Sequence, residues 1–254
     1  MTGFTNPAKR VFAQIQKAAN RPDQPSAAAT WAEIFGLDPG QANKDPHTVY
    51  MRLNLLRGEI DLIESMMKDT SFTEKLYVPY LDRVRKAVSV NNITASWSSY
   101  KQHLQPDVFL ALRYCAEILP QEESISIEEL QAILDKVREL QLEIENSNLS
   151  AGVHAFLISQ LSIIEKAIVE YPFKGGSAIK NAFREGFADL ATHADNLEKA
   201  DDKKEARKVA GVWSSLKAVG KEFVEADRIA TAYINLIEKG QSASEAVIGL
   251  LNGS

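Results

Sequence analysis

The chain has 254 residues, of which 45% are hydrophobic and 25% charged, so it is long enough to bury one large core or two smaller ones. Its net charge of −5 and its interspersed acids and bases argue against a dominant electrostatic attraction to nucleic acid or anionic lipid. Cys115 is the only cysteine, which excludes an intramolecular disulfide and favours a reducing, cytoplasmic location.

Helix signals recur along the N-terminal part of the chain, where alternating strand patterns are nearly absent. Asn6 and Pro7 are a cap and a first helical residue, and they predict a short helix that ends near Asn20. Residues 30–33 match a capping box, which predicts a one- or two-turn helix stopped by Gly36. The helix predicted after Asp45-Pro46 has a heptad seam, formed by Val49, Leu53, Leu56, Ile60, Ile63 and Met67.

The next elements are separated by prolines and asparagines. Pro79 is expected either to kink the helix predicted after residues 71–74 or to mark its true start. Asn91 and Asn92 indicate a break, and a further helix is predicted from Pro106 to about residue 119. The polar segment 121–124 is therefore the predicted boundary between an N-terminal helical subdomain, residues 1–120, and a C-terminal one, residues 121–254.

A helical hairpin over residues 150–195 forms the centre of the predicted C-terminal subdomain, after a capped helix that begins at Ser126. Pro172 is expected to block continuation of the first arm, and Ser177 is expected to cap the second. Gly186 lies on the apolar face of the second arm, where it costs about 1 kcal/mol of helix propensity. A close contact with another helix would offset that cost.

The turn of the hairpin, Lys174, Gly175, Gly176 and Ser177, is a candidate anion-binding site. Glycine-rich backbone before a helix can point N–H groups at an anion. The spacing is not that of a phosphate loop, and no strand is predicted before it, so a plain interhelical turn is the alternative interpretation.

A long amphipathic helix is predicted over residues 203–239. Unbroken, it would be about 55 Å long, whereas a compact globule of this chain length has a diameter of about 46 Å. Three alternatives would accommodate this length: a glycine bends the helix, the molecule is an elongated bundle, or the end of the helix packs on a second chain. Its seam supplies the candidate interface residues, for which internal core is the alternative: Trp213, Leu216, Gly220, Phe223 and Ile234.

No stretch carries a recognisable catalytic, metal-binding or nucleotide-binding signature, so neither a catalytic residue nor a cofactor is predicted. The four histidines lie on separate predicted elements and lack paired ligand spacing, so no metal site is predicted. Glu185, Asp189 and His193 share one helix face, which could supply metal ligands or an acid–base pair but is more typical of a solvated face. Cys115 lies in an apolar stripe and is interpreted as a buried structural thiol.

The sequence thus predicts an all-α, multi-helix bundle and a non-enzymatic helical interaction protein. It is expected to self-associate as a homo-oligomer, or to bind a helical protein partner, through its heptad-patterned faces. The first alternative is a conditional membrane-active protein that acts through its C-terminal helices. The second is an enzyme or anion-binding protein with an unrecognised site. Nucleic-acid binding is not predicted.

Overall fold

The computed structural model describes residues 4–198 and 204–219. Within them, eleven α-helices and one pair of two-residue strands confirm the prediction of an all-α, multi-helix fold. The paired strands are β1 Phe4–Thr5 and β2 Glu122–Glu123. The helices are α1 Pro7–Ala19, α2 Ala27–Ile34, α3 Pro39–Lys44, α4 His47–Lys68, α5 Val78–Ala87, α6 Ser98–Lys101, α7 Pro106–Ile118, α8 Ile127–Glu145, α9 Ala151–Lys174, α10 Gly176–Glu198 and α11 Lys204–Val219.

The chain divides into two compact units. The N-terminal unit contains residues 4–122 together with the short segment Pro172–Gly175. Residues 123–171 and the residues from 176 onward belong to the C-terminal unit. The last three residues of α9 and the glycine that follows them are therefore part of the N-terminal unit.

The core of the N-terminal unit forms around the α4 seam, whose six predicted apolar residues are all buried, as the heptad spacing indicates. An aromatic cluster extends this core. The ring of Trp31 stacks on Phe35 at a centroid distance of 5.4 Å and meets Trp97 edge-on at 5.5 Å. Phe35 in turn contacts Phe173 at 5.3 Å, which places segment 172–175 against this core.

The start of α1 is as predicted, but the start of α2 is not. The side chain of Asn6 accepts a hydrogen bond from the Lys9 N–H at 3.0 Å. The capping box predicted at residues 30–33 is wrong, because α2 begins one turn earlier with Ser26 as its cap. Its hydroxyl accepts from the Ala29 N–H at 3.0 Å, while Thr30 lies inside the helix and is buried.

The structure also decides the predictions made for two prolines. Pro79 occupies the first turn of α5, so it marks the start of that helix. Pro172 does not block α9, which continues to Lys174, and the prediction of a stop there is wrong. The helix ends instead at Gly175, whose φ of +57° supplies the left-handed residue typical of a helix C-terminus. Because α10 begins at Gly176, Ser177 lies in its first turn and does not precede it.

The C-terminal unit packs its core from α8, α9, α10 and α11. Ser126 caps α8, as predicted, by accepting from the Glu129 N–H at 3.3 Å. Gly186 has the close helix contact that would offset its propensity cost, because a Cβ there would lie 2.7 Å from the Cη2 atom of Trp213. Helix α11 covers residues 204–219 of the helix predicted over 203–239, and the remainder of that prediction lies outside the described residues.

Replacing Gly175 with alanine is expected to destabilise the protein by about 3 kcal/mol, because it combines left-handed backbone with a steric overlap. The new Cβ would lie 2.8 Å from the Cζ atom of Arg10. Gly36→Ala is the matched control, since Gly36 has φ +68° with no neighbouring atom within 4 Å, and it should cost only about 1 kcal/mol. Urea unfolding of both variants measures the difference, and equal losses would contradict the packing role of Gly175.

Candidate functional site

The described part of the predicted interface seam is buried. Trp213 and Leu216 lie in the core of the C-terminal unit, where 1% and 0% of their surfaces are exposed. The Trp213 ring contacts Phe183 at a centroid distance of 5.2 Å. Internal packing thus accounts for both residues. Gly220, Phe223 and Ile234 lie outside the described residues, and an interface along this seam stays a prediction.

A buried glutamine holds Trp213 in place. The Oε1 atom of Gln160 accepts from the indole N–H of Trp213 at 3.0 Å. Its Nε2 atom donates to the Gly186 carbonyl at 3.1 Å and to the Asp189 carboxylate at 2.7 Å. This single amide therefore joins α9, α10 and α11, and its donors and acceptor are all used.

The predicted acid–base face on α10 has protein partners in its described part. Asp189 accepts the hydrogen bond from Gln160, and Glu185 pairs with Lys166 at 3.2 Å. The side chain of His193 lies outside the described residues. Across residues 4–198 and 204–219, no group of three or more His, Cys, Asp and Glu side chains could hold a metal ion.

The candidate anion-binding turn lies against a buried ion cluster. The Arg10 guanidinium donates to Glu59 at 2.7 Å, to Glu122 at 2.6 Å and to the Phe173 carbonyl at 2.9 Å. Burial raises the pKa of Glu59, and the charge and hydrogen bonds of Arg10 oppose that shift, as does the charge of Lys174. The Arg10 guanidinium thus lies between two carboxylates, and the charge of Lys174 is close enough to act on Glu59.

Gly175 is needed in this cluster for a structural reason. A Cβ at that position would overlap the Arg10 guanidinium and would lie 2.9 Å from the Oε2 atom of Glu122. The glycine turn therefore has a packing role that requires no ligand. Gly176 and Ser177 form the first turn of α10. Anion binding by Lys174, Gly175, Gly176 and Ser177 stays a prediction.

The outer face of α7 carries a row of exposed apolar side chains that the sequence analysis missed. Leu110, Tyr114 and Ile118, which we call the α7 stripe, are 51%, 50% and 36% exposed. They lie four residues apart and therefore line one face of the helix. The opposite face contains the buried residues Val108, Leu112 and Cys115. The spacing of four residues between these apolar side chains was the signal in the sequence that could have indicated the stripe.

A second feature that the sequence analysis missed is an open pocket in the N-terminal unit. Its volume is 620 Å³, and its lining includes Arg57, Lys86 and His103. These three residues come from separate segments, so no local sequence motif indicates the pocket. Fold alone brings their side chains to one place.

Helix α9 is long and apolar enough to cross a membrane by length and composition, with a mean hydropathy of 1.4. Half of that segment is buried inside the protein. A buried core helix satisfies the same criterion, so this observation gives only weak support to a membrane role.

Comparison of the chain with protein-family models, with curated proteins and with solved structures found no match.

The Cys115 thiol is buried, and burial raises its pKa to about 11. Only about one thiol in a thousand is then ionised at pH 8, so the folded protein should react with a disulfide reagent such as DTNB far more slowly than the unfolded chain. The absorbance of released thionitrobenzoate, in native buffer and in guanidinium, measures this. Rapid stoichiometric release in native buffer would contradict the burial of Cys115.

Proposed function

We propose that this chain is a non-enzymatic interaction protein that self-associates through the α7 stripe. The observation that carries the proposal is the row of three large apolar side chains, each at least 36% exposed, on one face of α7. Single exposed apolar residues are common on proteins, but a contiguous row at helical spacing is typical of a helix-docking surface. Burying such a row on association is favourable by about 25 cal/mol per Å² of apolar surface.

An antiparallel pair of α7 helices fits the stripe. When two copies are related by a two-fold axis beside Tyr114, Tyr114 lies opposite its counterpart. Leu110 of each copy then lies opposite Ile118 of the other, so every member of the stripe has an apolar neighbour. A two-fold contact of this kind is self-complementary and closes after two copies.

Charges beside the stripe support the antiparallel arrangement. Arg113 and Glu117 are exposed and four residues apart on α7, so they lie along the same edge of the stripe. In the two-fold pair, Arg113 of one copy comes beside Glu117 of the other, and this pairing occurs twice. A parallel two-fold pair would place the charged edges of the two copies on opposite sides of the contact, without this pairing.

The burial of Trp213 and Leu216 is the reason for placing the contact on α7. Both side chains already fill the core of the C-terminal unit, whereas the α7 stripe is open to solvent. A helical segment of another protein is the alternative occupant of the same face.

Tyr114→Glu is expected to convert a dimer into a monomer, because the two-fold axis would bring two buried carboxylates together. Light scattering from about 1 μM to about 0.1 mM measures the mass, and the dissociation constant should rise by about 100-fold or more. Leu142→Glu is the matched control, since Leu142 is also an exposed large apolar residue, 61% exposed, and lies on α8 in the other unit. A monomeric wild-type protein, or equal effects of the two variants, would contradict the proposal.

A charge exchange tests the orientation. Arg113→Glu and Glu117→Arg should each weaken the dimer, because each places like charges side by side across the contact. The double variant restores opposite charges and should recover most of the wild-type affinity. Additive loss in the double variant would rule out the antiparallel pairing of these two residues.

A conditional membrane-active role through the C-terminal helices is the second proposal, favoured by the length and apolar composition of α9. It predicts that the protein floats with liposomes in a density gradient at acidic pH. Absence of the protein from the floated fraction, at acidic and neutral pH and with neutral and anionic lipid, would contradict it.

A further inference from the structure

The pocket in the N-terminal unit is formed by α4, the end of α5, α6 and the segments that follow these last two helices. Its volume of 620 Å³ is within the range of small-molecule sites. The lining is rich in charged and amide side chains. It consists of Arg57, Asp82, Arg85, Lys86, Ser89, Asn91, Asn92, Ala95, Ser99, Tyr100 and His103.

Two of the three cations in this pocket have no carboxylate partner in the described residues. Arg85 is already bound, because it donates to Asp61 at 2.8 Å, to Glu64 at 2.6 Å and to Asp82 at 2.9 Å. Arg57 is half-buried and Lys86 is exposed, and neither forms an ion pair or a side-chain hydrogen bond within residues 4–198 and 204–219. A partly desolvated guanidinium gains most from a ligand anion that accepts its hydrogen bonds.

Part of the pocket wall is fixed by hydrogen bonds and stacking. The Tyr100 hydroxyl donates to the Asn91 carbonyl, and its ring stacks on Trp97 at a centroid distance of 6.1 Å. Asn92 has a φ of +54°, so the loop turns sharply at the pocket. Asn91 and Asn92 both line the pocket, and an asparagine side chain can donate hydrogen bonds to a ligand.

His103 lies close enough to Lys86 and Arg83 for their positive charges to act on its imidazole. Burial lowers the pKa of this imidazole, and the positive charges of Lys86 and Arg83 lower it further. Near neutral pH His103 is therefore uncharged, and its ring N–H can still donate a hydrogen bond. The only carboxylate in the lining, Asp82, is held by Arg85.

We propose that this pocket binds the phosphate group of a small phosphorylated molecule through Arg57 and Lys86, with Asn91, Asn92 and His103 as neutral donors. A phosphate carries the two negative charges that match two unpaired cations, and its three oxygens can accept from a guanidinium and several neighbours at once. Six of the eleven lining residues carry a charged or amide group, which favours a polar ligand. This site is separate from the α7 stripe.

Calorimetric titration with inorganic pyrophosphate at constant ionic strength tests the site. The double variant Arg57→Gln/Lys86→Glu should bind at least about tenfold more weakly than the wild type. Lys44→Gln/Lys75→Glu is the matched control, because it removes the same charge from exposed lysines of the same unit that do not line the pocket. Absence of binding to the wild type, or equal weakening in both double variants, would overturn the proposal. Lys86→Glu alone repeats the test if Arg57→Gln unfolds the chain.

Proton NMR locates the bound anion. At neutral pH, saturating pyrophosphate should move the His103 ring resonance toward its protonated position, because a nearby negative charge favours the imidazolium. The resonance is assigned by its loss in His103→Gln, and those of His47 and His154 should stay in place. An unchanged His103 signal at saturation would overturn the proposal.

The phosphate could also be carried by a lipid headgroup, and a sedimentation assay with vesicles containing phosphatidic acid separates the two sources. We expect the wild-type protein to remain in the supernatant while it binds pyrophosphate. Sedimentation that depends on Arg57 and Lys86 would assign the pocket to a lipid phosphate and overturn the small-molecule assignment.

Discussion

The ion pairs and hydrogen bonds of the buried Arg10 guanidinium are the interactions on which the N-terminal unit depends most. Its side chain is 7% exposed, and it binds Glu59 of α4, Glu122 of β2 and the Phe173 carbonyl near the end of α9. Removing one partner of such a buried charge typically costs about 3–5 kcal/mol, because the other charge is left without compensation. The same group dictates a glycine at residue 175, since no side chain fits between the guanidinium and the Glu122 carboxylate. The hairpin turn is therefore explained by packing.

Helix periodicity predicted much of the fold, because each buried face depends on residues three and four apart. The α4 seam and the caps at Asn6 and Ser126 are examples. The two wrong predictions of helix ends have local causes. Ser26 capped α2 in preference to Thr30, and Pro172 was tolerated in the last turn of α9. The Arg10 cluster could not be predicted, since its partners lie 49, 112 and 163 residues away along the chain.

The two proposed functional surfaces differ in how clearly the sequence indicates them. The α7 stripe has a local signature, because Leu110, Tyr114 and Ile118 recur at steps of four opposite the buried face of the same helix. The pocket in the N-terminal unit has no such local signature. Arg57 and Lys86 come from different helices, and only the packing of α4 against α5 brings them together. Conversely, the heptad pattern at Trp213 and Leu216 is clear in the sequence, but periodicity alone does not distinguish an internal core from an interface.

The most direct measurement of self-association through α7 is a disulfide cross-link at the proposed two-fold axis. In a Cys115→Ala background, Tyr114→Cys places one cysteine per chain opposite its counterpart, within reach of a disulfide across two packed helices. Mild oxidation should convert this variant to a covalent dimer on a non-reducing gel. The same oxidation of Leu142→Cys in that background should leave monomers, because Leu142 lies on α8. Equal cross-linking at both positions, or none at residue 114, would contradict the proposed dimer.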